Sequence, residues 1–561
     1  MLTSPEVIHT KHISEPIADQ REIIACLDEY RKKREELGSQ RKAALSLNIP
    51  RGTIRHWLNN EDNEVEFLNT NPGLEFITKI YNAALFSFHL KQSSSVDAVS
   101  EFLTLSGLSK YIAPSHGSVY KAALEMIAIT GEFGDKEDKR LGKLMPHKMI
   151  SYALDESFYK SKPYLVGIEP VSNFILLEKQ SDNRQSETWA QAIYQSIKYF
   201  NVQLFQSVGD EGSGIRKCVK EILGLYHSND IFHVQYELVK ATSGQLSAKV
   251  RVAERDVEKA GFSLNRPNEP YNADNKQEEK VLNKSTATVQ QKSDDALVKE
   301  LKISKEKLKA LEEVTATAKE SVKAIGDHYH PLNILTGDVH NGPSMKSTLN
   351  RDISIIEKIA QDQELTDKSL IRIKKAKKLV DSLARNITFF WIMVDKILNG
   401  ALSSEAEKLL VKSILIPVMY VEKSIPLTED KDMKRELSVQ VKNYQTQLKN
   451  SELWDQLSTE QKNKLNKIAL DCIRIFQRSS SNVEGRNSQV KTLYRNLHLL
   501  SEKRLRAFTA IHNYWIKRDD GTTAAERFFE HKPEDLFEYL MKNMSCPSRP
   551  ASKRPQLKLM A

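Results

Sequence analysis

The sequence predicts a mostly helical chain folded around one mixed α/β core. Three observations carry that expectation. Strand-like runs are confined to residues 146–240, residues 241–475 space their apolar side chains at helical intervals, and the first 145 or so read as short helices. At 561 residues the chain exceeds a single compact core, so several domains are expected.

The first domain, 1–70, contains SQRKAALSLNIPRGTIRHWL at residues 39–58. Ala43 and Ala44 are small enough for two helices to cross closely, and Asn48-Ile49-Pro50 breaks the first helix. Ile54, Trp57 and Leu58 then bury one face of the second, leaving Arg51, Arg55 and His56 outside. This is the rhythm of a helix-turn-helix, with those three residues presented to DNA; a plain two-helix hairpin with proline at its turn is the alternative. A second helical domain, 71–145, includes GLSKYIAPSHGSVYKAAL, broken at Pro114 and restarting at Ser118. It carries fewer exposed cations, so structural packing competes there with DNA binding.

The core segment reads β-β-β-α-β-α-β. Its strands are Met149–Leu154, ending in Asp155, then Tyr164–Ile168 and Phe174–Leu177. An amphipathic helix at Gln185–Phe200 carries Trp189, Ile193 and Ile197 on one stripe. Val202–Val208 follows, ending in Gly209-Asp210, then a helix from about Gly214 to Leu225 and a short strand at Asp230–Val234. Three strands joined by tight turns form a meander, and a right-handed helical crossover returns the fourth strand parallel to the first. Neighbouring strands lie about 4.8 Å apart, so Asp155 and Asp210 are expected side by side. Two adjacent carboxylates repel and call for a cation, and Mg²⁺ suits oxygen donors best.

Residues 241–475 read as a helical insertion. Leu297, Leu301, Leu308, Leu311, Ala318, Val322 and Ile325 form a coiled-coil-like stripe, more often a structural arm than a cofactor site. Phe262–Asp295 is polar and loop-like, and IRIKKAKK at 371–378 meets DNA or solvent equally well. Asp327, His328 and His330 in GDHYHP read as capping or packing groups rather than metal ligands, and His233 as a structural neighbour of the active edge.

Composition narrows the class. Charged residues make up 28% and the net charge is +9, which permits a polyanionic partner without demanding one. The distribution says more: Arg478–Arg518 holds nine Lys or Arg against Glu484 and Glu502, and Ser548–Leu559 in the basic tail, 521–561, adds Arg549, Lys553, Arg554 and Lys558 with no acid. No apolar run approaches the roughly 20 residues of a membrane span, and no cleavable leader is expected. Cys26, Cys218, Cys472 and Cys546 form no CxxC pair, which fits a reducing compartment. P-loop, GxSxG, HExxH and Rossmann glycine patterns are absent, which argues against nucleotide motors and serine hydrolases.

Three segments resemble the DDE transposases of bacterial insertion sequences. LDESFYKSKPYLVGIEPVSNFILLEKQ is similar to that family's first-aspartate hairpin, SVGDEGSGIRKCV to its second-aspartate turn, and SSNVEGRNSQVKTLYRNLHLLSEKRLRAF to its third-acid helix. Glu484 and Lys491 match the E-x6-K spacing of one branch, although Gln477 and Ser480 stand where that branch has Tyr and Arg. The resemblance implies a ribonuclease-H-like core with a mixed five-stranded sheet, made from 146–240 plus 476–520. It implies Asp155, Asp210 and Glu484 as catalytic ligands of two Mg²⁺ ions, with Mn²⁺ as substitute. Arg486, Asn487, Lys491 and Arg495 would face DNA. The expected activity is strand cleavage and strand transfer at the ends of a mobile element, by a homodimer on double-stranded DNA in the cytoplasm, associated with the nucleoid. The alternatives are a catalytically silent DNA-binding regulator, another ribonuclease-H-like nuclease, or a helical partner-binding protein.

Overall fold

The computed structural model describes residues 20–61, 71–209, 212–264, 294–497 and 500–550. The chain divides into two units, Met1–Ile129 with Phe537–Ala561, and Thr130–Leu536. It is mostly helical, with one five-stranded mixed sheet. No described helix is long and apolar enough to cross a membrane.

In the first unit, α1 Gln20–Leu37, α2 Gln40–Ser46 and α3 Arg51–Glu61 pack around Leu27, Tyr30, Ala43, Ala44 and Ile54, with Trp57 and Leu58 against them. The alanines lie where the helices meet, as their size requires. Asn48 takes the left-handed conformation (φ 53°) in the turn between α2 and α3, which asparagine tolerates. Beyond them lie α4 Asn71–Ala84, α5 Val96–Leu105 and the start of α6 His116–Gly142. The Ser95 side chain caps α5 by accepting from the Ala98 amide. The C-terminal segment belongs here too: the Phe537 ring meets Phe86 edge-on at 5.9 Å, and the Ser545 hydroxyl donates to Glu125.

The second unit holds the sheet. Its elements are β1 Lys148–Tyr159, β2 Lys162–Glu169, β3 Phe174–Gln180, α7 Ser186–Ile197, β4 Val202–Gly209, α8 Ser213–Lys217 and β5 Tyr226–Asn229. The spatial order is β3-β2-β1-β4-β5, antiparallel among the first three strands and parallel across β1, β4 and β5. Lys160 and Ser161 both take positive φ in the β1–β2 turn, the geometry that matches the twist of a two-residue hairpin.

A long helical run follows: α9 Ile231–Leu264, α10 Asp294–His328, α11 Gly342–Asp362, α12 Asp367–Ala401, α13 Glu405–Leu410, α14 Ile416–Ser424, α15 Lys431–Lys449, α16 Glu452–Gln456 and α17 Thr459–Ile475. Of the predicted stripe on α10, Ala318, Val322 and Ile325 are buried in one large core with Val234, Leu238 and Ile387. β5 lies at one edge of the sheet and is covered by α12. Tyr226 stacks on Phe389 at 3.9 Å and donates to Asn386, while the Asn386 amide donates to the Asn229 carbonyl. Covering an edge strand removes a template for unwanted pairing.

The chain then returns to the sheet through α18 Ser481–Leu497, α19 Glu502–Tyr514 and α20 Ala524–Phe529, before α21 Leu536–Asn543. Alternation along β1 sorts its side chains. Tyr152 and Leu154 face α7 with Trp189 and Ile193, whereas Ala153 faces α18 and α19 with Val483, Val490 and Phe508. Asp155 shares the parity of Ala153 and so faces α18.

Three local expectations shift. β1 does not end at Asp155 but runs on to Tyr159. The helix expected at 214–225 is a single α-turn, Ser213–Lys217, followed by a π-helical turn at Cys218–Ile222. The last strand is Tyr226–Asn229, not Asp230–Val234, and α9 starts at Ile231 rather than after residue 240. A short run with Ile231, Phe232 and Val234 fits either element. Here the Asp230 carboxylate accepts the Phe232 amide at 2.7 Å, and Ile231, Val234, Leu238 and Ala241 bury one helical stripe.

Candidate functional site

The C-terminal ends of the parallel strands and the first turns of α9 and α18 meet on one side of the sheet. Leu154 pairs with Gly209 across β1 and β4. A Cβ at Gly209 would lie 2.5 Å from the Leu154 carbonyl oxygen, so only glycine allows this approach. Asp210 follows Gly209 directly and lies outside the described residues.

Asp155 is held on both oxygens. Oδ1 accepts the Glu156 amide at 2.8 Å, and Oδ2 accepts Asn487 Nδ2 at 2.6 Å from a residue 332 positions later. Asn487 is buried, and its Oδ1 has no hydrogen-bond partner among the described residues. Glu484 precedes Asn487 by three residues and therefore shares its face of α18.

Glu484 meets two groups from α9. One ligand atom each from Asp230, His233 and Glu484 lies within 4.8 Å of the others. Burial, and then the Asp230 charge, raises the Glu484 carboxyl above its ordinary pKa, against an opposing effect of His233. Asp230 is only 1% exposed. Its Oδ2 accepts both the amide and the hydroxyl of Ser480, at 2.8 and 2.6 Å, and the Ile231 amide donates to the Arg478 carbonyl. These bonds lock the starts of α9 and α18 together.

The basic residues of α18 divide. Arg486 is not presented to DNA: it is buried, with Nε and Nη2 each 2.7 Å from a Glu178 oxygen. The sequence shows its charge but not the partner on β3 that takes it. Asn487 likewise turns inward, to Asp155. Lys491 and Arg495 are exposed and, with Phe158, Tyr159, Lys160 and Tyr494, line a surface groove. In the first unit Arg51, Arg55 and His56 are exposed on α3, and Arg51 reaches Gln40 at 3.4 Å.

A family model matches residues 411–556; it describes a family of unknown function (DUF6399). The match takes in α18 and Glu484 but begins after β5. No curated protein matches this chain.

The histidines of GDHYHP each turn to a separate partner. His328 Nδ1 lies 2.6 Å from Asp352, and His330 Nδ1 lies 2.7 Å from the Tyr420 hydroxyl. Burial, followed by the Arg478 charge, holds His330 well below its usual pKa, so it is neutral. Asp230 is the site residue that sequence reasoning missed. Its signal was available: an aspartate directly before a helical apolar stripe caps that helix, and His233 then falls in the same first turn.

Proposed function

We propose that this chain is a DNA transposase whose sheet is the centre of a ribonuclease-H-like catalytic core. One observation carries the reading: the Asn487–Asp155 hydrogen bond docks the helix of the third acid onto the strand of the first. The strand order supports it, because parallel β1 and β4 bring Leu154 and Gly209 into register immediately before the two aspartates.

The residues present suit a hard divalent cation. Asp155 and Glu484 are carboxylates, the second on the same face of α18 as Asn487, and the Asn487 oxygen has no hydrogen-bond partner among the described residues. Asp155, Asp210 and Glu484 would hold the ions. When bound, such ions polarise a phosphate and lower the pKa of an attacking hydroxyl. The protein's own groups then have separate tasks. Asn487 fixes the Asp155 carboxylate, and the Arg486–Glu178 pair fixes α18 on the sheet. Lys491 and Arg495 hold DNA phosphates as point charges, while α3 presents Arg51, Arg55 and His56 to the element ends. Water would attack first, and the freed 3′-hydroxyl second.

The test is nicking of supercoiled DNA by the full chain with Mg²⁺. Wild type should nick, and Asp155→Asn should lose at least about 100-fold, or roughly 2.7 kcal/mol of barrier. DNA binding without nicking in the wild type would move the reading to a silent regulator. Unchanged nicking in Asp155→Asn would remove Asp155 from the site.

A further inference from the structure

We propose that Asp230, His233 and Glu484 bind one divalent transition-metal ion through an imidazole nitrogen and two carboxylates. The inference stands on these three side chains and does not depend on the transposase reading.

The ligands are already gathered. Their donor atoms lie within 4.8 Å of one another. Donors around a bound ion, each at roughly 2.0–2.2 Å, sit about 3–4 Å apart, so side-chain rotation of about an ångström closes the set. The framework does not need to move. Asp230 is oriented by three donors, the Phe232 amide and the Ser480 amide and hydroxyl, which is how ligating carboxylates are held from behind. Oδ1, which accepts only the Phe232 amide, keeps a lone pair for an ion, whereas Oδ2 is filled by the two Ser480 bonds, because a carboxylate accepts about two bonds per oxygen. The same Asp230–Ser480 clamp fixes the helix starts that carry His233 and Glu484.

The remaining valences are open. His233 makes no hydrogen bond among the described residues, and its ring lies edge-on to Phe232 at 6.0 Å. Neither Asp230 nor Glu484 forms a salt bridge among the described residues. Two neighbouring carboxylates and an uncommitted imidazole thus face one another with no Lys or Arg salt-bridged to them among the described residues.

Ligand chemistry selects the ion. Mg²⁺ and Ca²⁺ take oxygen donors, whereas an imidazole with two carboxylates suits Zn²⁺, Mn²⁺ or Co²⁺. Three protein ligands leave a position for water or substrate, the pattern of a reactive rather than a sealed structural site.

Co²⁺ titrated into the full chain tests this, because its visible d–d absorption reports nitrogen and oxygen coordination. With a hundredfold excess of Mg²⁺ present to fill oxygen-only sites, wild type should still bind one equivalent of Co²⁺ with persistent d–d bands. His233→Ala should lose the bands and weaken binding at least about 100-fold; this imidazole has no other hydrogen bond, so the fold should hold, checked by circular dichroism. Asp230→Asn is the poorer probe, since it disturbs the Ser480 clamp. Asp155→Asn should keep the Co²⁺ spectrum while losing nicking, which separates this site from the transposase reading. Absence of bands in wild type, unchanged bands in His233→Ala, or displacement by Mg²⁺ would each overturn the assignment.

Discussion

Arg486 and Lys491 belong to one helix and lie little more than one turn apart, yet they do opposite things. Arg486 is a structural cation, enclosed with Glu178 between α18 and β3. Lys491 stands in solvent at the rim of a groove beside Arg495. Equal formal charge therefore conceals two roles, and burial of the partner decides between them. A buried cation whose partner is removed leaves an unpaired charge in low dielectric; an exposed one is solvated by water either way.

Arg486→Met should test the buried side with the largest effect. Removing one partner of a buried pair costs about 3–5 kcal/mol, read from the denaturant midpoint. Glu178→Gln combined with Arg486→Met should recover part of that loss. Full destabilisation in the double variant would mean that the pair does not act as a unit.

The same pair sets a pH dependence. Burial alone would push the Glu178 carboxyl up, but the Arg486 charge and hydrogen bonds from Arg486 and Thr509 outweigh it and hold it below the usual range. A lowered folded-state pKa contributes stability that is complete above the unfolded value of about 4.3 and is lost as pH falls through the folded value. Unfolding free energy should therefore drop on acidification below about pH 4.3, and less steeply in the double variant. Parallel pH profiles would assign the acid limb to other carboxyls.

Lys491→Ala should do the reverse of Arg486→Met. Stability should change by no more than about 0.5 kcal/mol. If Lys491 holds a phosphate, strand cleavage should fall about 10- to 150-fold, the worth of a charge-assisted bond of roughly 1.5–3 kcal/mol. A normal rate at every salt concentration would return Lys491 to the solvated surface.

The smallest effect concerns the exposed cations of α3. Arg51→Ala with Arg55→Ala should weaken DNA binding and reduce the slope of log K against log salt by roughly 2, since about 0.9 is lost per phosphate contact. An unchanged slope would make the first three helices a packing module.

Much of the architecture was legible. The meander, the crossover and the parallel fourth strand followed from period-two runs and tight turns, and Ala43, Ala44 and Ile54 are buried together as their spacing implied. The site was legible in part. Asp155 and the α18 face of Glu484 do meet through Asn487, whereas Arg486 and Asn487 turned inward and Asp230 was read as strand.

What the sequence determined by itself is whatever depends on near neighbours: helix and strand periods, breaks at Asn48 and Pro50, and the alternation that turns Asp155 to the side of Ala153. Hydrophobic patterning repeats every few residues, so it survives without knowledge of the fold. Tertiary structure alone decided which charges are free. Asp230 meets Ser480 across 250 residues, and Arg486 meets Glu178 across 308. The energy of a charge depends on its partner and its dielectric surroundings, and neither belongs to any local stretch of chain.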